Sequence, residues 1–334
     1  MRALPILAAI AGVAAMAALV GYFGAGAVMR SLLAVGGAGF AAICAIHLGL
    51  IAAMGLAWRA LLPGTRPGML IWARLVRDSG SEALPLSQVG GYVLGARALT
   101  LAGVSGTLAA ASTIVDVTLE FVAQLAYTAL GLAWLVRLQP ESRAATPVLV
   151  GLAVAALAAG GFILVQRRGI GLFDRIARYL GRGWAERGAA GAAALHEALA
   201  DIYRRGGGLW TSFLLHLACW IASAAEVWLA LQLAGEPLPF GAVLAIESLL
   251  YAIRTAAFVV PNAMGVQEGA YLLLGAGFGL TPEMSLALSL LKRGRDLAIG
   301  LPTIAVWQAI ESNRLWRRRS AAAARLSELA PPPD

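Results

Sequence analysis

Apolar runs of about twenty residues or more recur along this chain, and each is long enough to cross a bilayer as a helix. They cover residues 3–23, 34–58, 108–137, 147–165, 209–233, 240–260 and 283–310. Only 13% of the 334 residues are charged and 60% are hydrophobic, a balance far from that of a soluble domain. The expected fold is an all-α integral membrane protein, a polytopic helical bundle of roughly seven to nine membrane segments. No large soluble domain fits beside them.

The net charge of +8 does not point to nucleic acid, because the arginines gather at the ends of apolar runs, where membrane topology places them. Arg2 before the first run invites a signal-peptide reading, but the length of that run favours a retained helix. The stretch from Arg59 to Glu82 holds Arg59, Arg66, Arg74 and Arg77, with Pro63-Gly64 and Pro67-Gly68 as helix breakers, and reads as a cytoplasmic loop. From Arg167 to Arg205 there are eight arginines and four acids, which also marks a cytoplasmic face. Within it, Leu172, Phe173, Ile176, Tyr179 and Leu180 share one face of a short interfacial helix. The tail carries Arg314, Arg317, Arg318, Arg319 and Arg325, with disorder expected over 330–334. Both termini are expected in the cytoplasm. The membrane domain is expected over 1–310, in halves 1–166 and 208–310 joined by an amphipathic loop at 167–207, followed by a basic tail at 311–334.

Two stretches interrupt the apolar pattern. One runs from Pro85 through Gly90 to Arg97; the other from Pro261 through Gly265 to Glu268 and on to Gly279. Unpaired backbone is not tolerated against lipid, so broken segments at membrane depth are shielded by protein or line a cavity. Counting crossings between the two basic loops makes residues 85–106 re-entrant. For residues 262–280 two readings stand: a broken helix that crosses, or a segment that dips back from one side. Corresponding interruptions in two halves point to a two-fold repeat with a transport site at its interface, and chance in a glycine-rich chain is the competing account.

Polar side chains inside the apolar runs are the candidate site. Thr113, Asp116, Glu120, Gln124 and Tyr127 recur every three or four residues and form one helical stripe. Intramembrane carboxylates face a cavity or an internal partner, and two compatible readings stand for Asp116 and Glu120: a structural ion pair with Arg97, or a direct role with substrate or proton. Glu247, Tyr251 and Arg254 form a second stripe, and Lys292, Arg293, Arg295 and Asp296 a third cluster, in which Lys292 and Asp296 are one turn apart and able to pair. Glu226 stands alone in its run. Candidate headgroup-binding residues are Arg97, Asp116, Glu120, Glu247, Arg254, Gln267, Glu268, Lys292 and Arg293, with Pro85, Gly90, Pro261 and Gly265 as backbone breaks.

Other chemistry has little support. Cys44 with His47, and His216 with Cys219, have a spacing a metal site could use, but no charged residue lies near either pair in sequence. Neither a metal nor a cofactor is expected. No nucleophile elbow, phosphate-binding loop or zinc-protease motif is present.

Pro261, Gly265, Glu268 and Gly269, followed by an apolar run and a last helix with basic residues, resemble the membrane domain of lysylphosphatidylglycerol synthases and flippase-like proteins. The segment from Pro85 through Gly90 to Arg97, then Ser112-Thr113 and Asp116, is similar to that family's first signature, except that its usual acid after the glycine is replaced by Gly91. Residues 84–91 and 111–120 resemble a subgroup associated with hopanoid biosynthesis. The resemblance implies a polytopic protein of the bacterial inner membrane that binds or moves a lipid between leaflets: a hopanoid, a phospholipid or a polyprenyl-linked lipid. Only 24 residues follow Ile310, so the aminoacyl-transferase activity of full synthases is not expected. The alternatives are an integral-membrane lipid-modifying transferase, or a non-catalytic accessory subunit that associates with lipid-synthesis enzymes.

Overall fold

A computed structural model of the chain describes residues 14, 17–18, 21–22, 25–82, 88–141, 145–168, 182–257 and 260–328. Among these residues the secondary structure is all helical. In chain order the helices are α1 (Ala25–Ala34), α2 (Gly36–Leu61), α3 (Pro67–Glu82), α4 (Gln88–Leu101), α5 (Gly106–Leu138), α6 (Ala145–Arg168), α7 (Arg182–Arg204), α8 (Gly206–Ala234), α9 (Phe240–Ala256), α10 (Val266–Gly277) and α11 (Pro282–Glu328). A short 3₁₀ turn, Pro261–Ala263, lies between α9 and α10.

Helices α2, α5, α6 and α8 are long and apolar enough to cross a membrane, which makes the protein a polytopic helical membrane protein. Helix α11 runs beside them, although Lys292, Arg293, Arg295 and Asp296 interrupt its apolar course. Helices α2 and α8 pack antiparallel, with Gly208 against the Ala60 carbonyl, Cys219 near the Leu50 carbonyl, and Gly39 against Leu233. The start of α8 therefore lies at the same end of the bundle as the end of α2.

Between these long helices sit two helical hairpins. The first pairs α3 with α4: a Cβ at Gly95 would meet Arg77, and one at Gly91 would meet Ser81, so sequence runs in opposite directions along the contact. The second pairs α9 with α10, through a hydrogen bond from the Tyr271 hydroxyl to Glu247 near the middle and one from Arg254 to Asn262 at the tip. Their limbs contain 16, 14, 17 and 12 residues. At 1.5 Å per residue none exceeds about 26 Å, short of the roughly 30 Å hydrocarbon core, so each hairpin goes in and comes back. The first rises from the end where α2 finishes, the second from the end where α8 finishes. The hairpins therefore enter from opposite ends, and their tips meet inside.

The stretch from Arg59 to Glu82 is thus not a loop. Pro67 stands at the first position of α3, where its missing N–H costs nothing and its fixed φ favours helix. Leu70, Ala73 and Val76 are buried with Trp58, Leu99 and Val115. The re-entrant element is α3 with α4, rather than a dip within 85–106. Pro85 lies outside the described residues, and Gly90 is inside α4 rather than at a break. Residues 262–280 follow the second of the two expected courses, a return rather than a crossing. The first apolar run, the interfacial helix over 172–180 and residues 330–334 lie outside the described residues, apart from the five positions named within 14–22. The 167–207 loop is helical from Arg182, and Leu199 and Ile202 at the end of α7 join the apolar cluster around the first hairpin. Helix α11 continues to Glu328, well past the expected end at 310.

Two apolar clusters flank the interior. One surrounds the first hairpin (Trp58, Leu70, Leu99, Val115, Ile202), the other the second (Ile43, Leu231, Ile246, Tyr271, Leu288). Between these clusters, in the middle of the bundle, lie His47 of α2, Asp116 and Glu120 of α5, Glu226 of α8, and Arg295 and Asp296 of α11.

Candidate functional site: a charged cavity between two hairpin tips

Helix α3 contributes two guanidinium groups. Arg74 and Arg77 are one turn apart and both are buried. Helix α5 faces them with two carboxylates four residues apart. Arg74 donates from Nη1 and Nη2 to the two oxygens of Glu120 at 3.1 and 2.6 Å and from Nε to Asp78 at 2.7 Å. Arg77 donates to Asp116 at 2.6 Å and also to Glu120. The second oxygen of Asp116 meets His216 Nε2 at 3.0 Å. A planar guanidinium suits this two-point binding of carboxylates, and each buried charge has a partner.

The second half has its own chain of contacts. Arg295 on α11 binds Glu226 on α8 and, through Nε and Nη2, Asp296 at 3.0 and 2.6 Å. The other Glu226 oxygen meets His47 Nδ1 at 3.2 Å. Glu226 is therefore not isolated, and Asp296 pairs with Arg295 rather than Lys292. Lys292 instead donates to Glu247 at 2.7 Å, beside the Tyr271 hydroxyl on the same carboxylate, with its ammonium 4.6 Å from the Tyr251 ring centre.

The tips are clasped. Arg254 donates from Nη2 to Glu82 at 2.9 Å and to Asn262 Oδ1 at 3.3 Å, and Asn262 Nδ2 donates to the Glu82 carbonyl at 2.7 Å. Asn262 and Ala263 have φ of 48° and 45°, and Gly265 has φ of 79°. This backbone is in the left-handed region, where glycine is favoured and asparagine tolerated. Glu268 holds the break together, accepting from the Gly265 N–H at 2.8 Å, from Ser289 at 2.7 Å, and from Arg293 at 2.7 and 3.1 Å. Gln267 beside it donates to Ser289 at 2.8 Å.

A cavity of about 330 Å³ lies between the tips. Its walls carry Arg74, Arg77, Arg254 and Arg295, the acids Asp78, Glu82, Glu120 and Asp296, and the rings of Tyr92, Trp220 and Tyr251. Four cations thus face four carboxylates, with aromatic faces between them.

Of the candidate headgroup-binding residues Glu120 and Arg254 line this cavity, and so do Gln124, Tyr251, Arg295 and Asp296 of the polar stripes. Asp116 sits one layer behind, bridging Arg77 and His216. Glu247 with Lys292, and Gln267 with Glu268 and Arg293, are drawn into contacts that bind helices together. Arg97 does not meet Asp116 or Glu120. It projects at the bundle end and pairs with Glu311 at 2.6 Å. Pro261 opens the 3₁₀ turn between α9 and α10, and Gly265 is the residue immediately before α10. Sequence reasoning missed Arg74, Arg77 and Asp78, although their spacing with buried Leu70 and Ala73 is helical. It also separated His47 and His216 from the carboxylates that hold them. Among the described residues, no group of three or more His, Cys, Asp or Glu side chains converges as a metal site would require.

The fold and cavity define a helical membrane protein with two opposed hairpins around a charged interior. The chain belongs to the lysylphosphatidylglycerol synthase TM region family, matched over residues 6–302. No curated protein and no solved structure matches it.

Proposed function

We propose that the protein is a flippase-like lipid transporter that binds a lipid headgroup between the hairpin tips and moves it between leaflets. The observation that carries this reading is the cavity of about 330 Å³, lined by both signs of charge where opposed hairpins meet. Its volume falls at the lower end of small-molecule sites, the size of a headgroup rather than a whole lipid. Arg254 uses only Nη2 in its hydrogen bonds, which leaves Nε and Nη1 as donors for a phosphate. Glu120, Asp78 and the faces of Trp220 and Tyr251 suit an amino group. The acyl chains would stay in lipid. A pair of opposed interrupted segments around a central site is the arrangement that alternating access uses.

The bundle end with Arg59, Arg66, Arg204, Arg205 and Arg314 is assigned to the cytoplasm by its charge, in a bacterial inner membrane with both termini inside. The cargo class is a membrane lipid of the envelope. The hopanoid pathway is favoured by residues 84–91 and 111–120. No chemical step is assigned, so the protein is read as a non-enzyme.

The test is translocation of a fluorescent phospholipid in proteoliposomes, read by quenching from outside. Wild type should translocate, and Arg254→Ala and Glu120→Gln should each slow it strongly in protein that stays folded. Unchanged rates in both variants would remove the cavity from the mechanism.

A further inference from the structure

Two imidazoles meet carboxylates in the interior, with opposite access. His216 is fully buried, its Nε2 is bound to Asp116, and its Nδ1 is enclosed without a partner. His47 lines the cavity, with 22% of its side chain exposed and Nδ1 at 3.2 Å from Glu226. A neutral His47 that donates its Nδ1 proton to Glu226 leaves the Nε2 lone pair without a protein partner.

The charges around His47 are unequal. Glu226 faces it from α8, and Arg295 and Asp296 from α11; Arg74 and Asp78 of α3 line the same cavity, and the Cys44 thiol is one turn away on α2. Two carboxylates, Glu226 and Asp296, share the single guanidinium of Arg295. The cluster carries one net negative charge with His47 neutral and none once the imidazole takes a proton. Intramembrane histidines beside carboxylates are a common form of proton relay.

We infer that His47 binds the coupling proton of this protein, at Nε2, from the cavity. The inference rests on the lipid-transport reading. A phosphate-bearing headgroup in the cavity draws on Arg295 and weakens its hold on Glu226. The imidazolium of His47 then becomes the cation that Glu226 keeps. When the headgroup leaves, Arg295 returns to Glu226 and the proton goes to water on the side then open. By linkage, headgroup binding promotes uptake of one proton, and the proton promotes headgroup binding by the same factor.

The experiment uses the full chain in vesicles of phosphatidylethanolamine and phosphatidylglycerol with trace fluorescent phosphatidylethanolamine, with and without an imposed pH gradient. With one coupled proton, the final leaflet distribution of the probe should shift by up to about tenfold per pH unit. His47→Gln should translocate more slowly, since it loses the proton's contribution to headgroup binding, and should lose the shift altogether. A second measurement needs no variant: on adding short-chain phosphatidylethanolamine, the detergent-solubilised protein should take up as much as one proton per chain, read with an indicator dye. Translocation with no gradient effect, a gradient effect retained in His47→Gln, or no proton uptake would each overturn the proton assignment and leave lipid transport standing. Absence of translocation under any gradient would overturn the transport reading itself, and this inference with it.

Discussion

In the first hairpin the guanidinium groups of Arg74 and Arg77 reach out to carboxylates on α5, whereas in the second the carboxylate of Glu268 turns back onto its own break and onto Arg293. The two hairpins follow the same course from opposite ends. Both bring arginines of the entering limb to the cavity wall, Arg74 and Arg77 in the first and Arg254 in the second; the second also uses the acid of its returning limb to hold itself in shape. Glu268, which the sequence offers as a headgroup contact, has both oxygens engaged and no exposed surface. Its position after a glycine break explains this. Three left-handed residues in an otherwise helical segment leave N–H groups that need an acceptor, and an acid at the third helical position of α10 supplies one.

The two hairpins differ most at Glu268. Replacing it with Ala strands the Arg293 guanidinium and removes an acceptor from the break, a loss that for buried pairs runs to about 3–5 kcal/mol. Thermal unfolding in detergent should show this as a large fall in stability, with little folded protein left to assay. If Glu268→Ala stays as stable as wild type but stops transporting, the acid touches cargo and the contrast between the hairpins is wrong.

The next effect concerns the glycines. A Cβ at Gly91 would lie 1.9 Å from Ser81 Oγ and 2.5 Å from the Arg77 carbonyl, whereas one at Gly269 meets nothing within 4 Å. The resemblance places an acid in the family's first signature where this chain has Gly91, and the packing gives the reason: α4 lies too close to α3 for any side chain there. Gly91→Ala should therefore destabilise by about 1–3 kcal/mol through overpacking. Gly269→Ala should be neutral, or stabilise by up to about 1 kcal/mol through helix propensity. Opposite signs in the same unfolding assay are the expected result.

The clasp between the tips tests whether the hairpins act as one unit. A double-mutant cycle with Glu82→Ala and Arg254→Ala should give a coupling of about 0.5–3 kcal/mol, the range for residues in direct contact. Additive effects would mean that the tips meet without depending on each other.

How far the molecule could be read from its residues follows the same division. Helices α2, α5, α6 and α8 announce themselves because each carries a long, mostly apolar run, and the Asp116–Glu120 stripe is visible because its spacing matches one helical face. Helix α3 was hidden by its own charges. Arg74, Arg77 and Asp78 give it the charge density of a loop, and a rule that assigns arginines to the cytoplasmic face cannot separate a solvated arginine from one buried against carboxylates on another helix. The partners lie too far away in sequence to be read by period: Arg77 and Asp116 are separated by 39 residues, His47 and Glu226 by 179. Local spacing shows which residues share a face. It does not show which helix that face meets.

Arg97 is the smallest expected effect and the sharpest contrast with Arg77. Both are arginines of the first hairpin, and by charge alone Arg97 looked the better partner for Asp116. The helical register decides otherwise. Arg77 is on the limb whose face meets α5 and is 3% exposed, while Arg97 is near the base of α4, with 43% of its side chain in the open beside Glu311. An ion pair with that exposure contributes about 0–1 kcal/mol. Arg97→Ala should therefore change unfolding by less than about 1 kcal/mol and leave lipid translocation at the wild-type rate. A strong transport defect with normal stability would mean that the path runs along the outside of the first hairpin, past Arg97, and not between the tips.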